Sequence, residues 1–378
     1  MSTNNIINTL IDPQLKNIPD TEIKNDLVES LLQNDKEYDL YQTNKSNFNN
    51  GSDVKLEEDR DKLVLNYSTN KILYSIAFHN YLDNCRLALG SLEKSTNNCI
   101  EVVEMNEECL TKSASVSQAY PSTKIMWSPS RNNQNLIASS SDIVRIYEYN
   151  DNNEITLNLT LHNKKSKYCA PLTSFDWNKE NNSILGTASI DTTCTIWDLN
   201  KSTIRTQLIA HDKEVFDIAF SQDEHIFIST GADGSIRLFD LRSLDHSTII
   251  YESKDQTPIT KIAWNMQNNH FISALAWEKD TVYIIDSRRQ MMSLVELKSH
   301  TGPVTGMAWA PQSNSHICSV GLDKNALIWN IQSQIENSNS GPYLSYNAPD
   351  EINNVAWCGL HTEWIGIVFG NQTQLLRV

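Results

Sequence analysis

Residues 211–240 read HDKEVFDIAFSQDEHIFISTGADGSIRLFD, and this stretch contains the pattern that decides the fold. A short segment, Asp217–Phe220, ends in an aromatic residue, and a second segment, Leu238–Asp240, follows about 20 residues later. The Asp-Gly pair at 233–234 between them is a turn signal, and the flanking residues are rich in β-branched and aromatic types. The stretch therefore predicts several short antiparallel strands joined by tight turns.

Both segments recur along the chain. The first occurs seven times, with its aromatic residue at Phe78, Trp127, Trp177, Phe220, Trp264, Trp309 and Trp357, at intervals of 49, 50, 43, 44, 45 and 48 residues. The second occurs at Val102–Glu104, Ile146–Glu148, Ile196–Asp198, Leu238–Asp240, Ile284–Asp286, Ile328–Asn330 and Leu375–Arg377. A unit of this length resembles the WD40 repeat, in which each copy forms one four-stranded blade and the blades close into a ring. The predicted fold is an all-β, seven-bladed WD40 β-propeller.

The two ends of the repeat region indicate how the ring closes. The last repeat reaches Val378 after only three strands, whereas an alternating segment, Leu63–Tyr67, precedes the first repeat. An unpaired sheet edge favours aggregation. We therefore expect this N-terminal strand to complete the final blade, so that the propeller spans residues 61–378.

Residues 1–60 differ in composition from the rest of the chain. They are Asn-rich and acidic and hold few large apolar side chains, which predicts a mostly disordered extension. Within it, Ile23, Leu27 and Leu31 form a short apolar stripe after Asp20. Two interpretations stay open for this stripe: a chance pattern in a flexible tail, or a segment that folds onto a partner or onto the propeller.

The balance of acidic and basic residues indicates which kinds of molecule the protein can bind. The chain has 46 acidic and 31 basic residues, which disfavours direct binding to nucleic acid or to anionic membranes and favours basic protein partners. The seven cysteines are scattered without metal-site spacing, and the chain shows neither a signal peptide nor an apolar run of membrane-spanning length. We expect an intracellular, soluble propeller, monomeric because a closed ring leaves no unpaired edge.

Two repeats carry a matching set of four residues. The sets are His211, Ser229, Asp233 and Phe239 in the fourth repeat, and His300, Ser319, Asp323 and Trp329 in the sixth. Ser, His and Asp together invite a hydrolase interpretation, but neither serine stands in a Gly-x-Ser-x-Gly turn. We predict buried hydrogen-bond sets, in which the Asp of a tight turn accepts from His and His bonds to Ser.

Other repeats lack the His of these sets. Gln118, Tyr168 and Asp255 stand at the equivalent position, and the third repeat keeps Thr187 and Asp191 where the Ser and Asp would stand. We expect these blades to depend more on apolar packing.

Two neighbouring repeats end their second segment with an Asp-x-Arg tripeptide. Asp240 and Arg242 form the first pair, and Asp286 and Arg288 form the second. Residues two apart in a strand point the same way and can form an ion pair. The pairs are interpreted either as local salt bridges that steady a turn or as an arginine patch that docks a partner.

No catalytic, metal or cofactor site is predicted. The chain has no phosphate-binding glycine pattern and no cluster of candidate metal ligands. A propeller enzyme would need acids, a His or a metal at a channel mouth. The inner-strand residues that we expect to face the channel are apolar: Ile76, Ile125, Ile218 and Met307.

Longer strings are similar to a particular branch of WD-repeat proteins, the anthocyanin-eleven and transparent-testa-glabra scaffolds of plants and their animal relatives. The strings include CAPLTSFDWN at 169–178, Ser189–Trp197, Thr206–Ser221, Gly231–Glu252, Glu351–Val355 and Leu376–Val378. The resemblance covers roughly residues 73–378 and exceeds what the generic repeat requires.

The resemblance implies a non-catalytic adaptor that moves between cytoplasm and nucleus. Members of the family bind dual-specificity, tyrosine-regulated protein kinases and assemble transcription regulators. Some relatives resemble substrate receptors of cullin-RING ubiquitin ligases, which use Asp-x-Arg tripeptides of the kind seen at Asp240–Arg242 and Asp286–Arg288. Phe239 and Ile285 stand where the tripeptide is usually preceded by Trp, so the ligase receptor is the alternative function.

Overall fold

The computed structural model describes residues 64–378 with the exception of 82–84, 95, 107–108, 163–169, 290 and 338–339. These residues form seven antiparallel sheets of four strands each, and first strands of neighbouring sheets contact one another around a ring. The all-β, seven-bladed propeller is thereby confirmed. The predicted extension at 1–60 and Tyr168 lie outside the described residues.

The blades follow one another in chain order. Blade 1 contains β2 (Leu73–Phe78), β3 (Arg86–Ser91), β4 (Asn98–Met105) and β5 (Leu110–Gln118). Blade 2 contains β6 (Lys124–Trp127), β7 (Leu136–Ser140), β8 (Val144–Asn150) and β9 (Glu154–Leu161). Blade 3 contains β10 (Leu172–Trp177), β11 (Ile184–Ser189), β12 (Thr193–Asp198) and β13 (Thr203–Ile209).

The remaining blades repeat this order. Blade 4 contains β14 (Val215–Phe220), β15 (Ile226–Gly231), β16 (Ser235–Asp240) and β17 (Ser243–Glu252). Blade 5 contains β18 (Ile259–Trp264), β19 (Phe271–Ala276), β20 (Thr281–Asp286) and β21 (Ser293–Lys298). Blade 6 contains β22 (Val304–Trp309), β23 (His316–Gly321), β24 (Asn325–Asn330) and β25 (Leu344–Asn347). Blade 7 contains β26 (Ile352–Trp357), β27 (Trp364–Phe369) and β28 (Gln372–Arg377), joined by β1 (Val64–Ser68).

Strand β1 closes the ring. It pairs antiparallel with β28, so that Val64 lies opposite Leu376 and Ser68 lies opposite Gln372. Leu63, the first residue of the predicted strand, lies outside the described residues. The edge of β28 is therefore covered by a segment of the same chain, which removes an exposed pairing edge.

The aromatic residues that end the first strands hold neighbouring blades together. The indole nitrogen of Trp127 donates a hydrogen bond to the carbonyl oxygen of Ala77 in blade 1 at 3.2 Å, and Trp309 donates to Ala263 in blade 5 at 3.2 Å. Both rings are buried. A bulky ring at this position buries apolar area between two blades, which is why the aromatic residue recurs once in each repeat.

A short helix, α1 (Ile331–Glu336), lies between β24 and β25 and was not predicted. Asn330 caps it, because its side-chain oxygen accepts hydrogen bonds from the backbone nitrogens of Gln332 and Ser333. Ile331 is fully buried in the apolar cluster shared by blades 5 and 6. Asn330 is also the last residue of β24. The sequence pattern of the strand therefore gave no separate signal for the start of the helix.

The propeller has two faces with different connections. Because strands alternate in direction, the turns between first and second strands lie on the same face as those between third and fourth strands. This is called the Arg face here, since Arg242 and Arg288 lie on it. The opposite face, called the linker face, holds the connections between blades and the turns between second and third strands.

Candidate functional site

The fourth blade builds its polar set in the turn between β15 and β16. Nδ1 of His211 lies 3.0 Å from both carboxylate oxygens of Asp233, and Nε2 lies 2.8 Å from Oγ of Ser229. Since a carboxylate accepts, Nδ1 carries the proton and Nε2 accepts from the serine hydroxyl. Gly234 follows at φ of 79°, a conformation that glycine adopts without strain. The set joins the linker before blade 4 to the turn of that blade.

The sixth blade repeats this geometry. Nδ1 of His300 lies 3.0 Å from both carboxylate oxygens of Asp323, and Nε2 lies 2.8 Å from Oγ of Ser319. Trp329 extends the chain, because its indole nitrogen donates to the same serine oxygen at 2.8 Å. In blade 4 the equivalent Phe239 instead stacks on Phe227, with ring centroids 5.0 Å apart.

These sets do not present a nucleophile. Ser229 and Ser319 are completely buried, and each hydroxyl is already bonded to a histidine. Burial alone would raise the pKa of Asp233, but hydrogen bonds from His211 and from Ser235 hold that pKa below its usual range. The pKa of Asp323 is likewise lowered despite burial, by hydrogen bonds from Asn325 and His300. The arrangement satisfies buried polar groups and leaves no access for a substrate.

Blade 3 has one part of this arrangement, the hydrogen bond between a tryptophan and a buried hydroxyl group. The indole nitrogen of Trp197 donates to Oγ1 of Thr187 at 3.1 Å, as Trp329 donates to its serine in blade 6. Asp191 instead accepts hydrogen bonds from Thr193 within the turn. In blade 5, Asp255 is exposed at the surface.

Blade 2 contradicts the expectation of apolar packing. Gln118 is buried and donates from Nε2 to Oγ of Ser122 at 2.5 Å, while Ser139 donates to the same oxygen at 3.0 Å. The hydroxyl of Tyr147 reaches the Gln118 amide oxygen at 3.5 Å. A glutamine amide both donates and accepts, so it replaces the histidine in a different buried polar network.

The two Asp-x-Arg tripeptides form local ion pairs on the Arg face. Nε and Nη2 of Arg242 lie 2.8 and 2.6 Å from the two carboxylate oxygens of Asp240. Arg288 binds Asp286 in the same manner, at 2.9 and 2.8 Å. Both carboxylates also accept a backbone hydrogen bond from their arginine. The side chain of Arg242 is 51% exposed and that of Arg288 is 22% exposed, so both guanidinium groups can also contact a partner.

The channel prediction was wrong about which inner-strand residues face the axis. Ile76, Ile125 and Ile218 are buried in clusters between blades, and Met307 packs against such a cluster. Six of the seven first strands, all except β6, carry a register irregularity near their start, such as the one between Val215 and Asp217. Ile125 of β6, which has no such irregularity, is buried between blades in the same way, so the packing of neighbouring blades and not the irregularity accounts for this burial.

Polar side chains meet across the axis instead. Nζ of Lys124 in blade 2 lies 3.5 Å from Oδ1 of Asp217 in blade 4, and Nζ of Lys261 in blade 5 lies 3.1 Å from Oδ1 of Asn354 in blade 7. Neither pair joins adjacent blades, which places these groups inside the ring. Burial lowers the pKa of Lys261 to about 8.

The buried aspartate of the channel, which Lys124 of blade 2 contacts, also bonds to residues of blades 3, 4 and 5. Asp217 accepts hydrogen bonds from Oγ of Ser174 at 2.5 Å and from the backbone nitrogens of Ile218 and Ile262 at 2.9 and 3.0 Å. A carboxylate with this many donors is held as a structural acceptor. Among the described residues, no group of three or more His, Cys, Asp and Glu side chains could hold a metal ion.

A cleft of about 210 Å³ lies between blades 2 and 3. Leu161, Thr187, Asp191 and Trp197 are among the residues that line it. This volume is smaller than the roughly 300 to 1,000 Å³ typical of small-molecule sites.

Within the described part of the chain, no helix has the length and apolar character needed to span a membrane.

The linker face carries several exposed apolar side chains. Six of them are distributed over blades 1, 2, 3, 5 and 6: Ile72, Leu92, Tyr120, Ile190, Trp277 and Leu322. Four occupy the same place in their repeats, the first residue after the second strand: Leu92, Ile190, Trp277 and Leu322. This ring of residues was missed in the sequence, although its constant offset from the second strand was a readable signal.

Comparison with known proteins places the chain among WD-repeat proteins. The family model described as "WD domain, G-beta repeat" matches residues 202–240 and 291–330. A DDB1- and CUL4-associated factor 7 homolog of Dictyostelium discoideum is 41% identical over 323 residues, which cover 84% of this chain and 99% of that protein.

Two fungal relatives agree with this placement. A WD repeat-containing protein of Schizosaccharomyces pombe is 30% identical and covers 77% of this chain and 84% of its own length. A WD repeat-containing protein of Saccharomyces cerevisiae is 28% identical and covers 77% of this chain and 73% of its own length. The narrower assignment to the anthocyanin-eleven and transparent-testa-glabra branch stays a prediction. The chain belongs to the family of WD-repeat proteins that includes the DDB1- and CUL4-associated factor 7 homolog.

Proposed function

We propose that this protein is a non-catalytic interaction scaffold that brings protein kinases together with transcriptional or signalling regulators in the cytoplasm and nucleus. The observation that carries the proposal is the ring of exposed apolar residues on the linker face. Exposed large apolar side chains that recur on one face of a protein favour an interaction site on that face. The kinase and regulator classes rest on the family resemblance, and the absence of an exposed nucleophile in the two histidine sets supports a binding role.

A closed propeller suits this role physically. Its blades are held by buried apolar clusters between neighbours, so the loops on its surface keep fixed relative positions. Two partners bound to one rigid body meet at an effective concentration far above their solution concentration. The scaffold requires no chemistry of its own.

The alternative function is that of a substrate receptor of a cullin-RING ubiquitin ligase. Arg242 and Arg288 lie on the Arg face of adjacent blades, and the exposed Met291 and Met292 follow the second arginine. Arginine and methionine are both enriched at protein interfaces. The relative from Dictyostelium discoideum is named a DDB1- and CUL4-associated factor homolog, and this name also favours the receptor function.

The test is affinity purification from native cells with quantitative mass spectrometry. We compare the unchanged chain with Leu92→Glu/Ile190→Glu on the linker face and with Arg242→Ala/Arg288→Ala on the Arg face. The control is Leu157→Glu, a change of an exposed leucine on β9 at the outer edge of blade 2. Kinases and regulators lost only from the linker-face variant support the scaffold. Ligase components lost only from the arginine variant support the receptor.

Two results would overturn the scaffold proposal. One is recovery of kinases and regulators with all variants at equal yield, since binding would then be independent of the apolar ring. The other is recovery of no kinase or regulator with the unchanged chain. Equal melting temperatures for the variants confirm that each one folds. The arginine variant is expected to meet this condition, because the exposed ion pair of Arg242 should contribute less than about 1 kcal/mol to stability.

A further inference from the structure

On the linker face, an exposed tryptophan of blade 5 stacks on a phenylalanine of blade 4, and an exposed leucine stands at the matching position of blade 6. The side chain of Trp277 is 53% exposed and stacks on Phe216, with ring centroids 6.5 Å apart and ring planes inclined by 26°. Leu322 occupies the matching position in the next blade and is also exposed. Phe216, Trp277 and Leu322 are called the Trp277 platform.

The backbone fixes this platform in place. The backbone nitrogen of Trp277 donates to Pro258 at 2.8 Å, and that of Leu322 donates to Pro303 at 2.9 Å. Lys279 links the two turns, because its carbonyl oxygen accepts from the backbone nitrogen of Val304 at 2.9 Å. A partner therefore meets aromatic and aliphatic surface that is already ordered, which lowers the entropy cost of binding.

Carboxylates outnumber ammonium groups around the platform. The loops 210–214, 232–234, 253–258 and 277–280 hold six carboxylates, at Asp212, Asp233, Glu214, Asp255, Glu278 and Asp280, against three lysines, at Lys213, Lys254 and Lys279. Arg237 adds one cation and binds two of these carboxylates, Asp212 and Asp233. Glu214, Asp255, Glu278 and Asp280 are all exposed.

We propose that the Trp277 platform binds an extended, basic segment of a partner protein in which arginine alternates with aliphatic residues. The aliphatic side chains lie on Phe216, Trp277 and Leu322, and the arginines pair with the flanking carboxylates. An arginine guanidinium can also stack on the exposed indole. This proposal rests on the scaffold function and specifies the chemistry of one of its partners.

The N-terminal extension of the chain has the wrong charge for this surface. Residues 1–63 carry 13 acidic and 7 basic side chains. The apolar stripe of Ile23, Leu27 and Leu31 lies among acidic neighbours such as Asp26 and Glu29. Like charges repel each other. The acidic surroundings of the platform therefore favour a segment of a partner protein as its occupant and disfavour the chain's own acidic extension.

The experiment measures binding of fluorescein-labelled peptides to the full chain by fluorescence anisotropy. One nine-residue peptide alternates Arg and Leu, and its counterpart alternates Glu and Leu. We expect the Arg-Leu peptide to bind and to weaken with added salt, while the Glu-Leu peptide does not bind. Binding of both peptides with equal affinity would overturn the proposal, and so would failure of the Arg-Leu peptide to bind.

Variants locate the site. Trp277→Ala is expected to raise the Kd of the Arg-Leu peptide by roughly tenfold or more, as for a tryptophan hot spot, and Glu278→Lys/Asp280→Lys is expected to do the same. Two matched controls are Ile190→Ala, at the equivalent position in blade 3, and Met292→Ala, on the Arg face; both should leave the Kd within about twofold. An unchanged Kd for Trp277→Ala, with an unchanged melting temperature, would exclude the platform.

The outcome is separable from the scaffold proposal. If kinases and regulators are lost with Leu92→Glu/Ile190→Glu while the Arg-Leu peptide binds Trp277→Ala with an unchanged Kd, the scaffold stands and the platform is wrong. If the Arg-Leu peptide depends on Trp277 while no kinase or regulator is recovered from cells, the platform stands and the scaffold proposal is wrong.

Discussion

Blades 4 and 7 fill the same four positions in opposite ways. Blade 4 has His211, Ser229, Asp233 and Phe239, joined by hydrogen bonds and ring stacking. Blade 7 has Ala348, Ile367, Asn371 and Leu376 at the corresponding places, and three of these four pack in one apolar cluster. Asn371 bonds to the segment after β1, donating from its amide to Thr69 at 2.9 Å.

The difference shows that the positions of His211, Ser229 and Phe239 require burial but not a particular chemistry, whereas the turn position is exposed in blade 7, at Asn371. A polar set is tolerated only when every member has a partner, since a buried polar group without one costs about 1 to 3 kcal/mol. An apolar set has no such condition. Blade 7 also differs in that it joins the two ends of the described chain, so its stability depends on pairing between β1 and β28.

The largest effect is expected from removing residues 64–68. The deletion exposes the edge of β28 and removes Val64, Leu65 and Tyr67 from the clusters that they contact. We expect loss of the cooperative transition, or a fall in melting temperature of at least about 10 °C, measured by circular dichroism. Removing residues 1–60 is the matched control, with no expected change. An unchanged melting temperature without β1 would show that closure does not stabilise blade 7.

A smaller effect is expected from His211→Leu. The change leaves Ser229 and the carboxylate of Asp233 without their histidine partner, and we expect a loss of about 2 to 4 kcal/mol in the free energy of unfolding. Urea denaturation measures it.

The triple variant His211→Ala/Ser229→Ile/Asp233→Asn gives blade 4 three of the four residues of blade 7 and keeps Phe239. It should cost less than the sum of the three single changes, by at least about 1 kcal/mol, because no member is left without a partner. Additive costs would show that the three changed positions act independently in blade 4.

The smallest effect concerns pH. Hydrogen bonds lower the pKa of Asp233 in the folded protein, so its contribution to stability is present above the unfolded value near 4 and is lost as pH falls below it. The stability difference between the unchanged chain and Asp233→Asn should therefore shrink between about pH 5 and pH 2, by on the order of 1 kcal/mol. Asn371 in blade 7 does not titrate, and Asn371→Ala should show a difference that is constant with pH.

Much of the fold was predictable because its signals are local. The aromatic residues at Trp127 and Trp309 recur because each docks on the blade before it. The pairing of Arg242 with Asp240 followed from their spacing of two residues. By contrast, α1 was hidden because Asn330 serves both as the end of β24 and as the helix cap.

The polar networks were predictable only in part. The histidine sets are readable because histidine, serine and aspartate recur at fixed offsets in blades 4 and 6. The network of Gln118, Ser122 and Ser139 uses different residue types in blade 2. A sequence pattern based on histidine cannot find a glutamine that makes equivalent bonds.

The sequence by itself determined the number of blades, their period and the strand that closes the ring, because these depend on alternation and on one aromatic residue for each repeat. The tertiary structure decided which residues of each inner strand are buried between blades, since this depends on how neighbouring blades pack against each other. It also decided that Lys124 meets Asp217, 93 residues away, and that Phe216 of blade 4 stacks on Trp277 of blade 5. Such contacts arise only when the ring closes, because residues of different blades then converge on one axis and one face.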